Sequence, residues 1–169
     1  KSIDYWRDVH ARNSFDDYGQ AVKAYVHVSI NDMVAFYDVT YHTFNFGDGN
    51  GQYSPLTALD VVSHEFGHGV TQYTCNLRTG TTFEASTLNE GFSDIWGACT
   101  EHWAAPAKNP WLSGEEITLV SPFFHRSLID PFASRTPQPN TYKGTNWAYS
   151  GPGSGYNEHT NAGVLCHWF

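Results

Sequence analysis

The segment SHEFGHGVTQYT, residues 63–74, carries two histidines and a glutamate at a spacing that supports chemistry. His64 and His68 are four residues apart, so a helix places both on one face, where they can hold one metal ion. Imidazole suits zinc, and a zinc ion lowers the pKa of a bound water to about 7. Glu65 is placed to take the proton of that water and pass it to a leaving amine. The alternative is two surface histidines on an ordinary helix.

A second segment, TLNEGFSDIWG at residues 87–97, offers a third ligand. Glu90 and Asp94 are also four residues apart, so a helix places both carboxylates on one face. With Glu90 on the metal, Asp94 is positioned to accept a hydrogen bond from the free ring nitrogen of a ligand histidine, which fixes the tautomer. Asn89 can serve the other histidine in the same way. In the alternative, Glu90 only caps its helix and Asp94 is solvated.

Two helices must position these groups, and the apolar period predicts both. The first begins at a capping-box pattern of Thr57 and Asp60, and the second begins near residues 86–87. Gly67 and Gly69 each cost about 1 kcal/mol of helix propensity, which predicts close approach by another part of the chain. The apolar positions are Leu59, Val62, Phe66, Val70 and Tyr73 in the first helix, and Phe92, Ile95, Trp96, Cys99 and Trp103 in the second.

The residues before the first helix have the patterns of strands. Residues 21–28 alternate as in a half-buried strand, and residues 35–46 are rich in aromatic and β-branched side chains. Proline and glycine dominate residues 106–160, which predicts long loops, and a last helix is expected after Asn161. Strands first and helices later predict an α+β fold with a cleft near residue 57.

Composition limits the classes of protein that need considering. The chain has 169 residues, 40% of them apolar and 16% aromatic, which predicts a packed core. The net charge of −8 argues against nucleic-acid binding, which needs a basic face. No apolar run reaches the roughly 18 residues of a membrane span, and no signal-peptide pattern opens the chain. The closing apolar run VLCHWF has no helix-ending signal, so we expect a piece of a longer protein.

Three cysteines, Cys75, Cys99 and Cys166, leave two arrangements open. One disulfide with one free thiol and three free thiols are both compatible with the sequence. The cysteines therefore do not fix the cellular compartment.

The chain resembles the thermolysin-like metallopeptidases over nearly its whole length. HEFGH followed by NEGFSD is similar to the two-helix zinc signature of that family, and VAFYD, FGDGNG, RSLIDP and HTNAGV resemble its other motifs in the same order. The resemblance implies a two-lobe α+β fold, with residues 1–56 in a β-rich lobe, residues 57–169 in a mainly helical lobe and the active-site helix between them. It also implies a secreted, monomeric zinc endopeptidase that prefers a large apolar residue after the scissile bond of a peptide or protein substrate.

The resemblance implies a role for individual residues at matching positions. His64, His68 and Glu90 would bind zinc, with Asp94 and Asn89 supporting the histidines, and Glu65 would act as general base and later as proton donor. The implied substrate-handling residues are His159 for the oxyanion, Arg126 for the substrate backbone on the leaving-group side, the backbone of Ala35 for strand pairing, and Tyr53, Leu56, Val61 and His125 for the pocket after the scissile bond.

The resemblance also implies structural calcium. Asp60, Glu101 and Glu115 fall on matching positions, and hard oxygen ligands suit calcium. Two further acidic positions of the family are Pro110 and Leu112 in this chain, so we expect at most one calcium ion. In the alternative, Asp60 is a carboxylate at a helix start, where the helix dipole favours it.

Four departures from the family pattern affect the substrate side. Thr79 stands where the family has a tyrosine at the oxyanion, Ser154 where an aspartate orients the oxyanion histidine, and Val34 where an asparagine binds substrate. His125 stands where the family has a leucine in the specificity pocket. Loss of one oxyanion donor costs about 10²–10³ in rate. The second hypothesis is therefore a catalytically weak or inactive zinc-containing relative that binds peptides. A purely structural zinc domain is disfavoured, because such sites are closed by four protein ligands and we find only three.

Overall fold

A computed structural model describes residues 1–77, 83–149 and 157–169 of the chain. The helices and strands run in a mixed order, which confirms the α+β class. They are α1 (Ser2–His10), β1 (Lys23–Val26), β2 (Ala35–Asp38), β3 (Thr43–Phe46), α2 (Leu59–Tyr73), α3 (Phe83–Ala104), β4 (Leu112–Ser113), β5 (Arg126–Ser127), a 3-10 turn (Pro131–Ala133), α4 (Glu158–Asn161) and α5 (Gly163–Trp168).

A three-stranded sheet in the order β1-β3-β2 lies in the N-terminal part. The central strand β3 is parallel to β1 and antiparallel to β2, with Ala35 opposite Phe46. The strand pattern over 35–46 is confirmed as two strands, because Asp38 accepts hydrogen bonds from Thr40 and Tyr41 and turns the chain between β2 and β3. The prediction of a half-buried strand over 21–28 is wrong, since β1 lies at the sheet edge and all four of its residues are exposed.

Helix α2 packs its apolar face against β2 and β3 over an aromatic core. It begins at Leu59 after Ala58 with no side-chain cap, so the predicted capping box is wrong. The Asp60 carboxylate instead accepts hydrogen bonds from the backbone N–H groups of Val61 and Gly114. The core residues are Tyr5, Trp6, Phe15, Tyr37, Phe44, Phe46, Phe66 and Val70.

The glycines of α2 permit the close approach that their low helix propensity predicted. A Cβ atom added at Gly67 would lie 3.1 Å from the Cα of Ser93 in α3, and one at Gly69 would lie 3.1 Å from the Cβ of Phe15. Both distances are shorter than ordinary side-chain contacts. Glycine at these positions therefore lets α3 and the aromatic core come close to α2.

Helix α3 runs alongside α2 and is longer than predicted. Its first described residue is Phe83, ahead of residues 86 and 87, so Glu90 lies inside the helix and does not cap it. The C-terminal helices α4 and α5 pack on α3. The last helix was expected to begin after Asn161, but α4 already begins at Glu158. Asn157 caps α4 by accepting a hydrogen bond from the backbone N–H group of His159.

The long segment between α3 and α4 contains one small antiparallel pair of strands. Leu112 of β4 lies opposite Ser127 of β5, and Ser113 lies opposite Arg126. Cys75, Cys99 and Cys166 all lie in described segments and are free thiols. Within the described ranges no helix is both long and apolar enough to cross a bilayer.

Candidate active site

Helices α2 and α3 bring the three predicted zinc ligands together. The Nε2 atoms of His64 and His68 lie 3.1 Å apart, and the Glu90 carboxylate lies 3.2 Å from the first and 3.5 Å from the second. Across the described part of the chain, this is the one group of three or more such side chains whose ligand atoms converge within 4.8 Å. Two imidazole nitrogens and a carboxylate oxygen are a donor set that suits zinc, so the residues fit the implied metal.

The outer nitrogens of both rings have the partners that the sequence predicted. Asp94 Oδ1 lies 2.8 Å from the Nδ1 of His64, and Asn89 Oδ1 lies 3.1 Å from the Nδ1 of His68. A carboxylate or amide oxygen accepts, so each Nδ1 donates and each Nε2 is left to face the metal group.

Ser93 is a neighbour of the site that the sequence interpretation missed. Its hydroxyl lies 3.0 Å from the Nδ1 of His68, beside Asn89. Asn89 and Ser93 are four residues apart on α3, the same spacing that identified the Glu90 and Asp94 pair. Extending that argument to hydroxyl groups would have found it.

Buried charges set the protonation of the site. Burial lowers the pKa of His64, but the hydrogen bond and charge of Asp94 and the nearby Glu90 outweigh it and raise the pKa to about 10. Burial raises the pKa of Asp94, but Arg126 and His64 outweigh it and hold that pKa below its ordinary value. A histidine with a raised pKa is positively charged at neutral pH, with a proton on both ring nitrogens. Metal binding must displace one of these two protons.

Glu65 lies in the same cavity as the metal group. Its side chain is 5% exposed and lines a cavity of about 530 Å³ together with His68, Glu90 and His159. Its Oε2 atom is buried and has no hydrogen-bond partner among the described protein atoms. A free carboxylate oxygen beside a metal group is the arrangement that a general base requires.

His159 reaches the metal group from α4. Its Nδ1 lies 2.9 Å from Glu90 Oε2, and its side chain is about half exposed, at 47%. Its backbone is held at both ends, because Asn157 accepts from its N–H group and Gln138 donates to its carbonyl oxygen. Gln138 is a second neighbour that no sequence pattern indicated.

Arg126 of β5 is held by the carboxylate that also supports His64. Its Nη2 lies 2.5 Å from Asp94 Oδ1, and the Arg126 side chain is only 14% exposed. Among the described protein atoms its Nε has no hydrogen-bond partner. No sequence signal pointed to this pair, because the two residues are 32 positions apart.

A second cavity of about 420 Å³ lies beside Arg126 and His159. Ala35 lines both this cavity and the one at Glu65, and Met33, Val34 and His125 line the second. The edge strand that carries Ala35 therefore runs along the metal group. Val34, one of the departures, lines this cavity and is half-buried.

The other residues predicted for the pocket pack against Met33 and Ala35, which line this cavity. Tyr53 and Leu56 pack with Ile117 in a buried cluster, and Val61 packs against it. The Tyr53 hydroxyl lies 3.0 Å from the Nδ1 of His125. Burial and then the positive charge of Arg126 lower the pKa of His125 to about 3, so this ring is neutral at physiological pH.

The implied calcium ligands do not converge as closely as the three zinc ligands do. Asp60, Glu101 and Glu115 lie in described segments, but their carboxylate oxygens are not among the convergent groups. Glu101 is bonded to a lysine, Lys108, at 3.0 Å. Burial and then the charges of Asp60 and Glu101 raise the pKa of Glu115 to about 7, which keeps it partly protonated at neutral pH. Calcium takes roughly 6–8 oxygen ligands and prefers ionised carboxylates. A calcium ion at these residues stays a prediction.

Two of the departures from the family pattern, Thr79 and Ser154, lie outside the described residues. The predictions made from them therefore stay predictions.

Comparison with known families agrees with this fold and site. Residues 1–72 match the family model described as thermolysin metallopeptidase, catalytic domain, and residues 82–169 match the thermolysin metallopeptidase alpha-helical domain. The chain therefore belongs to the thermolysin metallopeptidase family, as its motifs indicated.

Individual relatives cover almost all of this chain. It is 35% identical over 168 residues to the transglutaminase-activating metalloprotease of Streptomyces mobaraensis. This match covers 98% of the present chain and 21% of that protein. It is 36% identical over 167 residues to bacillolysin of Brevibacillus brevis, which covers 97% of this chain and 29% of that protein. The chain thus spans less than a third of these curated relatives.

A solved structure has the same fold. The precursor of protealysin, a metalloproteinase from Serratia proteamaculans, matches with a TM-score of 0.83 at 26% identity. The match covers 98% of this chain and 53% of that chain.

Proposed function

We propose that this chain carries the catalytic site of a zinc-dependent endopeptidase. One observation carries the proposal: the free carboxylate oxygen of Glu65 lies in the same cavity as the convergent His64, His68 and Glu90 group. Membership of the thermolysin metallopeptidase family supports it. A zinc ion held there would supply an acidified water and polarise the scissile carbonyl.

The residues around the cavity each have a task in peptide hydrolysis. Glu65 removes a proton from the attacking water and delivers it to the leaving amine. His159, at the edge of the metal group, donates a hydrogen bond to the oxygen that becomes negative in the transition state. Arg126 presents its planar guanidinium to a substrate carbonyl on the leaving-group side.

The edge strand gives the substrate a backbone to pair with. Strand β2 lies at one edge of the sheet order β1-β3-β2, so one side of its backbone is free of strand pairing within the described sheet. Ala35 of that strand lines both cavities. An extended peptide can add to this edge as a further strand and pass its scissile bond across the metal group.

Cleavage of a quenched fluorescent peptide by the purified protein tests this function. We expect cleavage that stops when o-phenanthroline removes the metal and returns when stoichiometric zinc is restored, because the water is activated only on the metal. The meta isomer of phenanthroline, which does not chelate, is the matched control. Cleavage that is unaffected by the chelator would contradict the proposal.

His125 is expected to weaken the preference for a large apolar residue after the scissile bond, which the resemblance implies. A half-buried neutral imidazole that lines the second cavity gives an apolar side chain a polar neighbour. The change His125→Leu should raise kcat/KM for a leucine peptide over its asparagine counterpart by about tenfold, since a difference of ~1.4 kcal/mol is a factor of ten. Peptide pairs that differ only at this position measure it, with His167→Leu as control. An unchanged ratio would remove His125 from the specificity pocket.

A weak or inactive peptide-binding relative is the second candidate function. The replacements at Thr79, Ser154 and Val34 motivate it, because they alter residues that the family uses on the substrate side. The chelator-controlled assay separates the candidates: zinc content without cleavage, together with peptide binding, favours the second. Secretion and a monomeric state are proposals taken from the resemblance alone.

A further inference from the structure

A cluster of four acidic residues and one lysine lies where the start of α2 approaches α3. The acidic cluster consists of Asp60, Glu101, Glu115 and Glu116, and its lysine is Lys108. Glu101 is fully buried at 0% exposure, and Asp60 is 4% exposed. An ionised carboxylate at such depth is strongly unfavourable unless a cation or hydrogen-bond donors compensate its charge.

The chain supplies that cation itself. Lys108 Nζ lies 3.0 Å from Glu101 Oε1 and also contacts the Glu116 carboxylate. Its backbone is turned back over the helix end, because the N–H group of Lys108 donates to the carbonyl oxygen of Ala105 at 2.9 Å. The side chain of Lys108 is 30% exposed, so the ammonium group enters the acidic cluster from the surface.

Asp60 is compensated separately by the backbone. Its two oxygens accept hydrogen bonds from the N–H groups of Val61 at 2.8 Å and Gly114 at 2.6 Å. A Cβ atom added at Gly97 would lie 2.8 Å from the Asp60 carbonyl oxygen, so α2 and α3 are in close contact here. Asp60 therefore lies at the contact between the start of α2 and the C-terminal half of α3.

Two buried carboxylate oxygens in the acidic cluster, Glu101 Oε2 and Glu115 Oε2, are not bonded to the lysine. Glu101 Oε2 is buried and has no hydrogen-bond partner among the described protein atoms. It is the atom that would have to bind a cation if Lys108 were absent. Among the described residues, Lys108 is the one cationic side chain that forms ion pairs with the acidic cluster.

We infer that the ammonium group of Lys108 takes the place of the calcium ion that the family resemblance implies, so that this end of α2 and α3 is stable without calcium. The ammonium group is part of the folded chain, so its presence does not depend on the solution. A calcium ion must be supplied by the solution, and its stabilising effect depends on its concentration. The helices would then keep their positions when calcium is depleted. This inference concerns stability and stands independently of the proposed peptidase activity.

The change Lys108→Met tests it, because methionine keeps the length of the side chain and removes the charge. Melting temperatures are measured on zinc-loaded protein, in calcium-free buffer and over a calcium titration into the millimolar range. We expect wild type to show no calcium dependence from this cluster. Lys108→Met should melt about 5 °C lower without calcium and recover part of the loss as calcium is added, because Glu101 then has a replacement cation.

Lys23→Met is the matched control, since Lys23 lies on the exposed edge strand β1 and its loss should give the wild-type response. Any calcium effect shared by wild type, control and Lys108→Met belongs to sites elsewhere in the protein. If Lys108→Met does not fold at any calcium level, Glu101→Gln is used instead. The inference requires the calcium affinity of Glu101→Gln to equal that of wild type. A wild type that gains as much from calcium as Lys108→Met, or a calcium affinity reduced by Glu101→Gln, would overturn the inference.

Discussion

Replacing Glu65 with glutamine will leave zinc bound and will lower kcat/KM for a quenched peptide by about 10²–10⁴-fold, the contribution of a positioned general base. Glutamine has nearly the same shape as glutamate, so the cavity and the adjacent histidines are preserved. It cannot accept the proton of the attacking water or return it to the amine. Because Glu65 is not one of the three convergent ligands, the zinc content should not change.

Glu84→Gln is the matched control for this result. Glu84 lies in the first turn of α3, exposed and bonded to Tyr142, so the same chemical change there should leave activity intact. Metal analysis must accompany the kinetics, since a variant that has lost zinc would be inactive for another reason. Wild-type activity in zinc-loaded Glu65→Gln would show that another group moves the proton.

Replacing Asp94 with asparagine should damage both stability and metal binding. One oxygen of Asp94 serves two partners, His64 Nδ1 at 2.8 Å and Arg126 Nη2 at 2.5 Å. Neutralising one member of a buried ion pair leaves the other charge uncompensated, which costs about 3–5 kcal/mol of unfolding free energy. Loss of a carboxylate that orients a metal-binding histidine lowers metal affinity by about 10–100-fold.

Urea unfolding and competition with a zinc indicator measure the two effects of Asp94→Asn separately. Asp8→Asn is the control, because Asp8 also pairs with an arginine, Arg7, but on the surface, where such a pair contributes about 0–1 kcal/mol. A variant with wild-type stability and zinc affinity would show that the buried network around Asp94 does not hold the site together.

The metal group was predictable because it depends on local spacing. Two pairs of residues at four-residue separation, on two helices, define the ligands and the partners of their rings, and the helical period fixes which face they share. The structure places Asp94 against His64 and Asn89 against His68, as that spacing suggests. Only the packing of α2 against α3 was needed in addition, and Gly67 indicated it.

The features that the sequence did not predict depend on contacts between distant segments. The pairing of Arg126 with Asp94 requires the start of β5 to lie beside the middle of α3, and no periodicity indicates such a contact. The Lys108 contact with Glu101 requires a turn just after α3. Strand β1 is exposed because it lies at the edge of the sheet. The alternation of polar and apolar residues predicts which side chains share a face of a strand, but not whether another element covers that face.

Zinc content of the dialysed protein, measured alongside peptidase activity, tests the central claim most directly. We expect one zinc ion per chain in wild type, with activity proportional to zinc content as the metal is removed and restored. His68→Ala should bind much less zinc, because it removes one of three convergent ligands, whereas His167→Ala should match wild type. A full equivalent of zinc in His68→Ala, or activity that does not follow zinc content, would contradict the account of this site.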